Sequence, residues 1–155
     1  MNILLDVNVL LRLADPTSAA HAIAALAVST LRAQGESLHI VPQSVCEFWA
    51  VATRPMANNG LGLSSGECLR EVANVKGSFP LLDDKPTLFT EWEAVVTVFA
   101  CHGKIAHDAR YVAAMPTHGL THLPTFNVND FTRYAGITLL DPNTLAASGP
   151  PSKTP

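Results

Sequence analysis

Charged side chains are scarce in this chain of 155 residues: Asp, Glu, Lys and Arg make up only 15% of it, and the net charge is -3. No basic run or basic tail is present, which excludes a protein that holds nucleic acid by diffuse electrostatic attraction. Contact with a polyanion would have to come through a local patch of cations or through bound metal ions. Cysteine is sparse too. Cys46, Cys68 and Cys101 are odd in number, widely spaced and without a CxxC pair, which argues against a disulfide framework or a cysteine zinc site. Long apolar runs are missing: the Ala-rich AAHAIAALAV carries a histidine and falls well short of a membrane span. Asp6 interrupts the first apolar run, so no export signal is expected there. Reduced thiols and the lack of a span together predict a cytoplasmic protein with no membrane partner. No Gly-rich phosphate loop, nucleophile elbow, internal repeat or domain-scale linker is visible.

What remains is apolar. Hydrophobic residues make up 48% of the chain, enough for one domain with a substantial core. So few charges also predict that a partner chain covers some apolar surface. Residues 2–5 read as a strand. Thr17 or Ser18 can cap a helix through AAHAIAALAVSTLRAQ, which Gly35 ends. LHIV (38–41) reads as a second strand, and VCEFWAVAT as a helix stopped at Arg54-Pro55. Ser64 and Glu67 have capping-box spacing ahead of ECLREVANV. A connector, GSFPLLDDKP, leads to a helix in TLFTEWEAVVTVFACHG with Gly103 at its end. The next helix, IAHDARYVAAM, is ended or kinked near Pro116 and closed by His118-Gly119. THLPTF (121–126) and ITLL (137–140) are strands separated by the polar turn NVND, and residues 143–155 read as a flexible tail behind a domain spanning 1–142. Short, continuously apolar strands alternating with helices predict an α/β fold with a parallel sheet covered on both faces.

Ligands in such folds sit beyond the carboxyl ends of the strands. Asp6 lies just past the first strand, Glu47 in the helix after LHIV, Asp108 in the helix before THLPTF, and Asp130 just past that strand. Clustered carboxylates repel one another, and a hard divalent cation resolves the conflict, because Mg2+ and Mn2+ prefer oxygen ligands. Such a site can hold a phosphodiester and activate water. Each acid also has a structural reading: an Asx turn for Asp6, a capping box with Ser44 for Glu47, the helix dipole for Asp108, and a helix cap for Asp130. The histidines are scattered; His118 and His122 are four apart, but Gly119 between them argues against a shared zinc-binding helix face. Trp49 and Trp92 read as core or interface residues.

Four segments in order, LLDVNVLL, SVCEFWAVATRP, GKIAHDARYVAAM and PTFNVNDFTRY, resemble the PIN-domain ribonucleases, and among them the VapC-like toxins of bacterial type II toxin–antitoxin pairs. The resemblance runs from Met1 to about Pro142. It implies a PIN-like doubly wound sheet of four or five parallel strands flanked by helices. It also implies an acidic pocket that binds Mg2+ or Mn2+ and hydrolyses RNA. Carried over position by position, the catalytic acids are Asp6, Glu47, Asp108 and Asp130, with Asp6 and Asp108 as the metal-binding pair. Asn8, Thr125 and Asn127 complete the pocket. Many members carry an aspartate where this chain has Asn127; Asp130 matches a variant of the motif. The residue after the first aspartate is usually Thr or Ser and here is Val7, which cannot hydrogen-bond through its side chain. Arg12, Arg54, Lys104, Arg110 and Arg133 flank these segments, and Arg54 and Lys104 are the expected RNA-binding cations. The implied partners are a cognate antitoxin, an RNA substrate and a second copy of the chain, meeting helices around Trp49 and Trp92. Two other readings stay open: a catalytically weakened domain that only binds protein or RNA, motivated by Val7, and a phosphatase or DNA nuclease using the same pocket.

Overall fold

The computed structural model describes residues 1–149. Four short parallel strands form one sheet: β1 (Asn2–Leu4), β2 (Ser37–His39), β3 (His122–Pro124) and β4 (Thr138–Leu140), in the spatial order β2-β1-β3-β4. Among the described residues eight α-helices flank the sheet: α1 (Val7–Ala14), α2 (His21–Ala33), α3 (Pro42–Ala52), α4 (Ser65–Ser78), α5 (Leu88–Val98), α6 (Ile105–Thr117), α7 (Val128–Phe131) and α8 (Pro142–Ser148). The expected parallel α/β fold is therefore observed. Ile40 adds a single bridge to Leu81 in the connector, parallel to the sheet, so the edge beyond β2 is partly covered.

The continuous apolar run at the N-terminus follows from burial on both faces of the sheet. Ile3 and Leu5 point to one side and pack with Val9, Leu10, Val28, Leu31 and Phe48. Leu4 points to the other side and meets Tyr111, Val112, Met115 and Leu123. Successive side chains of a strand alternate between faces, so a strand lying between two helical layers has no position left for a polar residue. Asp6 comes immediately after that constraint lifts.

Local signals locate some helix ends. Ser64 accepts from the Glu67 backbone N–H, and the Glu67 carboxylate accepts from the Ser64 N–H, giving the expected capping box for α4. Pro42 occupies the first turn of α3, where its missing N–H costs nothing. Residues 7–14, for which the pattern predicts no element, form a helix, α1. Three segments differ from expectation. Helix α2 starts at His21, with Ala20 rather than Thr17 or Ser18 at its N-cap. Helix α5 stops at Val98 rather than near Gly103, because Ala100 takes φ 47° and the chain turns Phe99 edge-on to Tyr134, with ring centroids 5.1 Å apart. The tail expected from residue 143 begins instead with α8, whose Leu145 packs against the core. Asp141 caps that helix by accepting from the Asn143 N–H. Residues 150–155 of the expected tail lie outside the described residues.

Candidate active site

From β1 the chain moves outward to β2, then returns to place β3 on the other side of β1. Crossovers leaving neighbouring strands in opposite directions open a crevice between their carboxyl ends. Asp6 follows β1 and Thr125 follows β3, so these two residues face each other across that crevice. The Asp6 N–H donates to the Pro124 carbonyl at 3.4 Å, joining the two strand ends.

Asp6 is only 4% exposed and Thr125 is fully buried. The Thr125 hydroxyl donates to Asp6 Oδ2 at 2.6 Å, and Asn8 Nδ2 donates to the same oxygen at 2.6 Å. Asn8 Nδ2 also reaches Thr125 Oγ1 at 3.0 Å, while Asn8 Oδ1 accepts from the Phe126 N–H at 3.1 Å. The Asn127 N–H donates to Thr125 Oγ1 at 3.0 Å. Asp6, Asn8 and Thr125 thus form one closed set, separated by 119 positions in sequence but joined at the sheet edge. Asp6 occupies the N-cap position of α1 without making a side-chain capping bond, so capping does not account for its burial. Burial raises its pKa to about 6; the Thr125 hydrogen bond opposes this and the nearby Glu47 charge adds to it.

Glu47 is half-buried on α3. Its capping-box reading is not what forms: Ser44 Oγ accepts from the Val41 N–H at 3.3 Å, and Glu47 plays no part in that cap. Its carboxylate instead accepts from Gln43 Nε2 at 2.7 Å and from the Tyr111 hydroxyl at 3.3 Å. Gln43 also donates to the His107 carbonyl at 2.8 Å and accepts from Arg110 Nη1 at 3.2 Å, and Arg110 pairs with Asp84. The motif reading passed over Gln43 and Tyr111. Gln43 lies one helical turn before Glu47, a spacing the sequence displays, whereas Tyr111 reaches it only because α3 and α6 meet.

Asp108 stands in the first turn of α6, half-buried. Burial raises its pKa first, and the Asp130 and Glu47 charges raise it further, while Lys104 and His107 oppose. All four acids are electrostatically connected in this way. Asp130 and Asn127 are exposed, beside a cleft shared with Asn129, Asp141 and Asn143. Lys104 is exposed at the start of α6, close enough to act on Asp108. Arg54 lies beyond the far end of α3, roughly 10 Å along the helix direction from Glu47 at 1.5 Å per residue, and makes no side-chain hydrogen bond or ion pair among the described residues.

The donor set consists of oxygens, the chemistry that suits a hard divalent cation. Among the described residues no three His, Cys, Asp or Glu side chains converge closely enough to enclose a metal. That arrangement fits the open kind of site, in which one or two carboxylates hold Mg2+ or Mn2+ and water or phosphate oxygens complete the shell. Among the described residues no helix is long and apolar enough to cross a membrane.

No family model and no curated protein matches the chain. Solved structures do share its fold. VapBC2 from Rickettsia felis, bound to a DNA fragment from its promoter, superposes with a TM-score of 0.70 at 12% identity, covering 90% of this chain and 98% of that one. VapBC-1 from nontypeable Haemophilus influenzae gives 0.67 at 17% identity, with 92% and 98% covered. VapC20 from Mycobacterium tuberculosis, a toxin that cleaves the sarcin-ricin loop, gives 0.56 at 16% identity, with 78% and 86% covered.

Proposed function

From the PIN-like fold this chain has in common with those VapBC structures, we propose that it is a metal-dependent endoribonuclease and the toxin of a toxin–antitoxin pair. The observation that carries the proposal is the closed Asp6–Asn8–Thr125 set at the switch point, facing Glu47 and Asp108. Thr125 and Asn8 both engage Asp6 Oδ2, and Oδ1 accepts no side-chain hydrogen bond among the described residues. Gln43 and Tyr111 hold the Glu47 carboxylate in one orientation. Asp108 and Asp130 add negative charge on the open side. When bound between Asp6 and Asp108, Mg2+ or Mn2+ would supply positive charge to a phosphodiester and lower the pKa of water beside it. The Lys104 ammonium, at the rim of the same site, is placed to attract the substrate's phosphates.

The acidic pocket and low cation count support this dependence on metal for a polyanionic substrate. Purified protein should cleave RNA with Mg2+ or Mn2+ and not with EDTA. Asp6→Asn and Asp108→Asn should each abolish cleavage; activity surviving both substitutions would overturn the mechanism. A panel of RNA, DNA and small phosphate esters separates this reading from a phosphatase or DNA nuclease.

Val7 favours one second reading, a weakened domain that binds without turnover. Its half-buried position at the start of α1 lies directly beside Asp6, where a hydroxyl could bond a neighbouring carboxylate or water. Tight, acid-dependent metal binding without RNA cleavage would favour it. The partner chains are an antitoxin and a second copy. Trp92 is half-buried and donates its Nε1–H to the Ala106 carbonyl at 2.8 Å, so exposed Trp49 is the better anchor for a homodimer. Sedimentation equilibrium of wild type and Trp49→Ala tests this; a monomer at every concentration would refute the dimer.

A further inference from the structure

Aromatic residues are rare in this chain, at 6%, yet two of them line a surface cleft beside the core. Phe89 and Trp92 on α5 stand with ring centroids 5.7 Å apart and planes inclined by 34°. Phe89 is 63% exposed, a large apolar area to leave in water. The cleft they share has a volume of about 410 Å³ and is completed by Asp84, Lys85, Pro86, Leu88 and Arg110. A pocket of this size accommodates a small planar ligand.

Three features identify the occupant. Trp92 is held by its bond to the Ala106 carbonyl, so a ring stacking on it meets a surface already ordered. Lys85 has no ion pair among the described residues, which leaves an exposed cation beside an apolar platform. Arg110 belongs to both places: it lines the cleft, pairs with Asp84, and donates to Gln43, whose amide holds Glu47. Whatever fills the cleft therefore lies one side chain away from the acidic site. Aromatic faces flanked by cations are the chemistry that binds single-stranded nucleic acid, with stacking supplied to the base and charge to the phosphate.

We propose that the Phe89–Trp92 cleft is a nucleobase subsite. It takes an unpaired base of the RNA strand whose phosphate meets Lys85, while Arg110, paired with Asp84 and bonded to Gln43, links the cleft to the acids. The inference rests on the nuclease reading for its substrate, but it concerns binding and can be measured without cleavage. It would confine binding to single-stranded RNA, because a base inside a duplex has no free face to offer the two rings.

The test uses Trp49→Phe protein, in which Trp92 is the remaining indole, kept metal-free with EDTA. A single-stranded RNA hexamer should quench the fluorescence saturably, and a hexamer of abasic ribose phosphate should not. Phe89→Ala in the same background should weaken binding by roughly 5- to 100-fold, and Phe89→Tyr should retain it. Because Phe89 is largely exposed, its truncation leaves the fold intact, which circular dichroism checks. Equal affinity for the intact and abasic hexamers overturns the subsite, as does unchanged affinity in Phe89→Ala. A third result also overturns it: a dimer of protein retaining Trp49 that Phe89→Ala dissociates without altering RNA affinity, which assigns the cleft to contact between copies. The nuclease reading is judged separately. Acid-dependent cleavage with no effect of Phe89 refutes the subsite alone, whereas base-dependent quenching without cleavage keeps the subsite and refutes the nuclease.

Discussion

Replacing Asp6 by Asn should stabilise the metal-free protein, and by an amount that depends on pH. Burial lifts the Asp6 pKa from its ordinary value of 3.8 to about 6. A carboxyl that holds its proton more tightly when folded supports the fold most at low pH. That support is complete below 3.8 and is lost as pH rises through 6; above this the folded protein carries a buried charge that the unfolded chain keeps in water. The gap corresponds to about 3 kcal/mol. Asn removes the charge while keeping a carbonyl oxygen for the Thr125 hydroxyl and Asn8 amide. Urea denaturation of wild type and Asp6→Asn in EDTA, from pH 4 to pH 8, measures the difference. The two should be nearly equal at pH 4, and the variant should lead by up to about 3 kcal/mol at pH 8. Mg2+ at a hundred times its Kd should stabilise only the wild type, by about 2.7 kcal/mol, and so nearly cancel that lead at pH 8. A difference that stays flat across this pH range would refute the claim that Asp6 is held in a destabilising ionised state awaiting a cation.

Thr125→Val keeps the shape of the side chain but removes a donor to Asp6 and an acceptor for Asn8 and Asn127. It should cost about 1–3 kcal/mol in urea denaturation and weaken metal affinity ~10–100-fold by calorimetry. Val7→Thr restores the hydroxyl usual at that position in the resembled family and should raise RNA cleavage in Mg2+ by up to ~10-fold; an unchanged rate would show that Val7 does not limit activity. Gly60→Ala should lower stability by about 1–3 kcal/mol in thermal denaturation, because its Cβ would fall 1.9 Å from the Arg54 carbonyl oxygen and force the loop after α3 to shift.

Legibility followed the range of the forces involved. The Ser64–Glu67 cap, the stop near Pro116 and the apolar strands are local matters of spacing, burial and backbone chemistry, and each could be read along the chain. Asp6, Glu47, Asp108 and Asp130 stood out because charge is costly among apolar residues and because each came near an element boundary. Helix α1 was hidden, since its apolar stretch suits strand or helix equally until the sheet ends at Asp6. The extent of α5 and the presence of α8 depended on Phe99 meeting Tyr134 and on Leu145 meeting the core, contacts with distant partners.

The sequence by itself therefore determined an α/β chain with parallel, doubly covered strands and an acidic constellation at their ends, because alternation of apolar runs and turn residues is a one-dimensional pattern. Only the tertiary structure decided which groups work together. It joined Thr125 to Asp6, gave Glu47 to Gln43 and Tyr111 instead of to a capping box, and set Phe89 and Trp92 beside Arg110. The reason is topological: reversing the strand order at β1 and β3 brings residues more than a hundred positions apart to one crevice, and no local preference encodes that meeting.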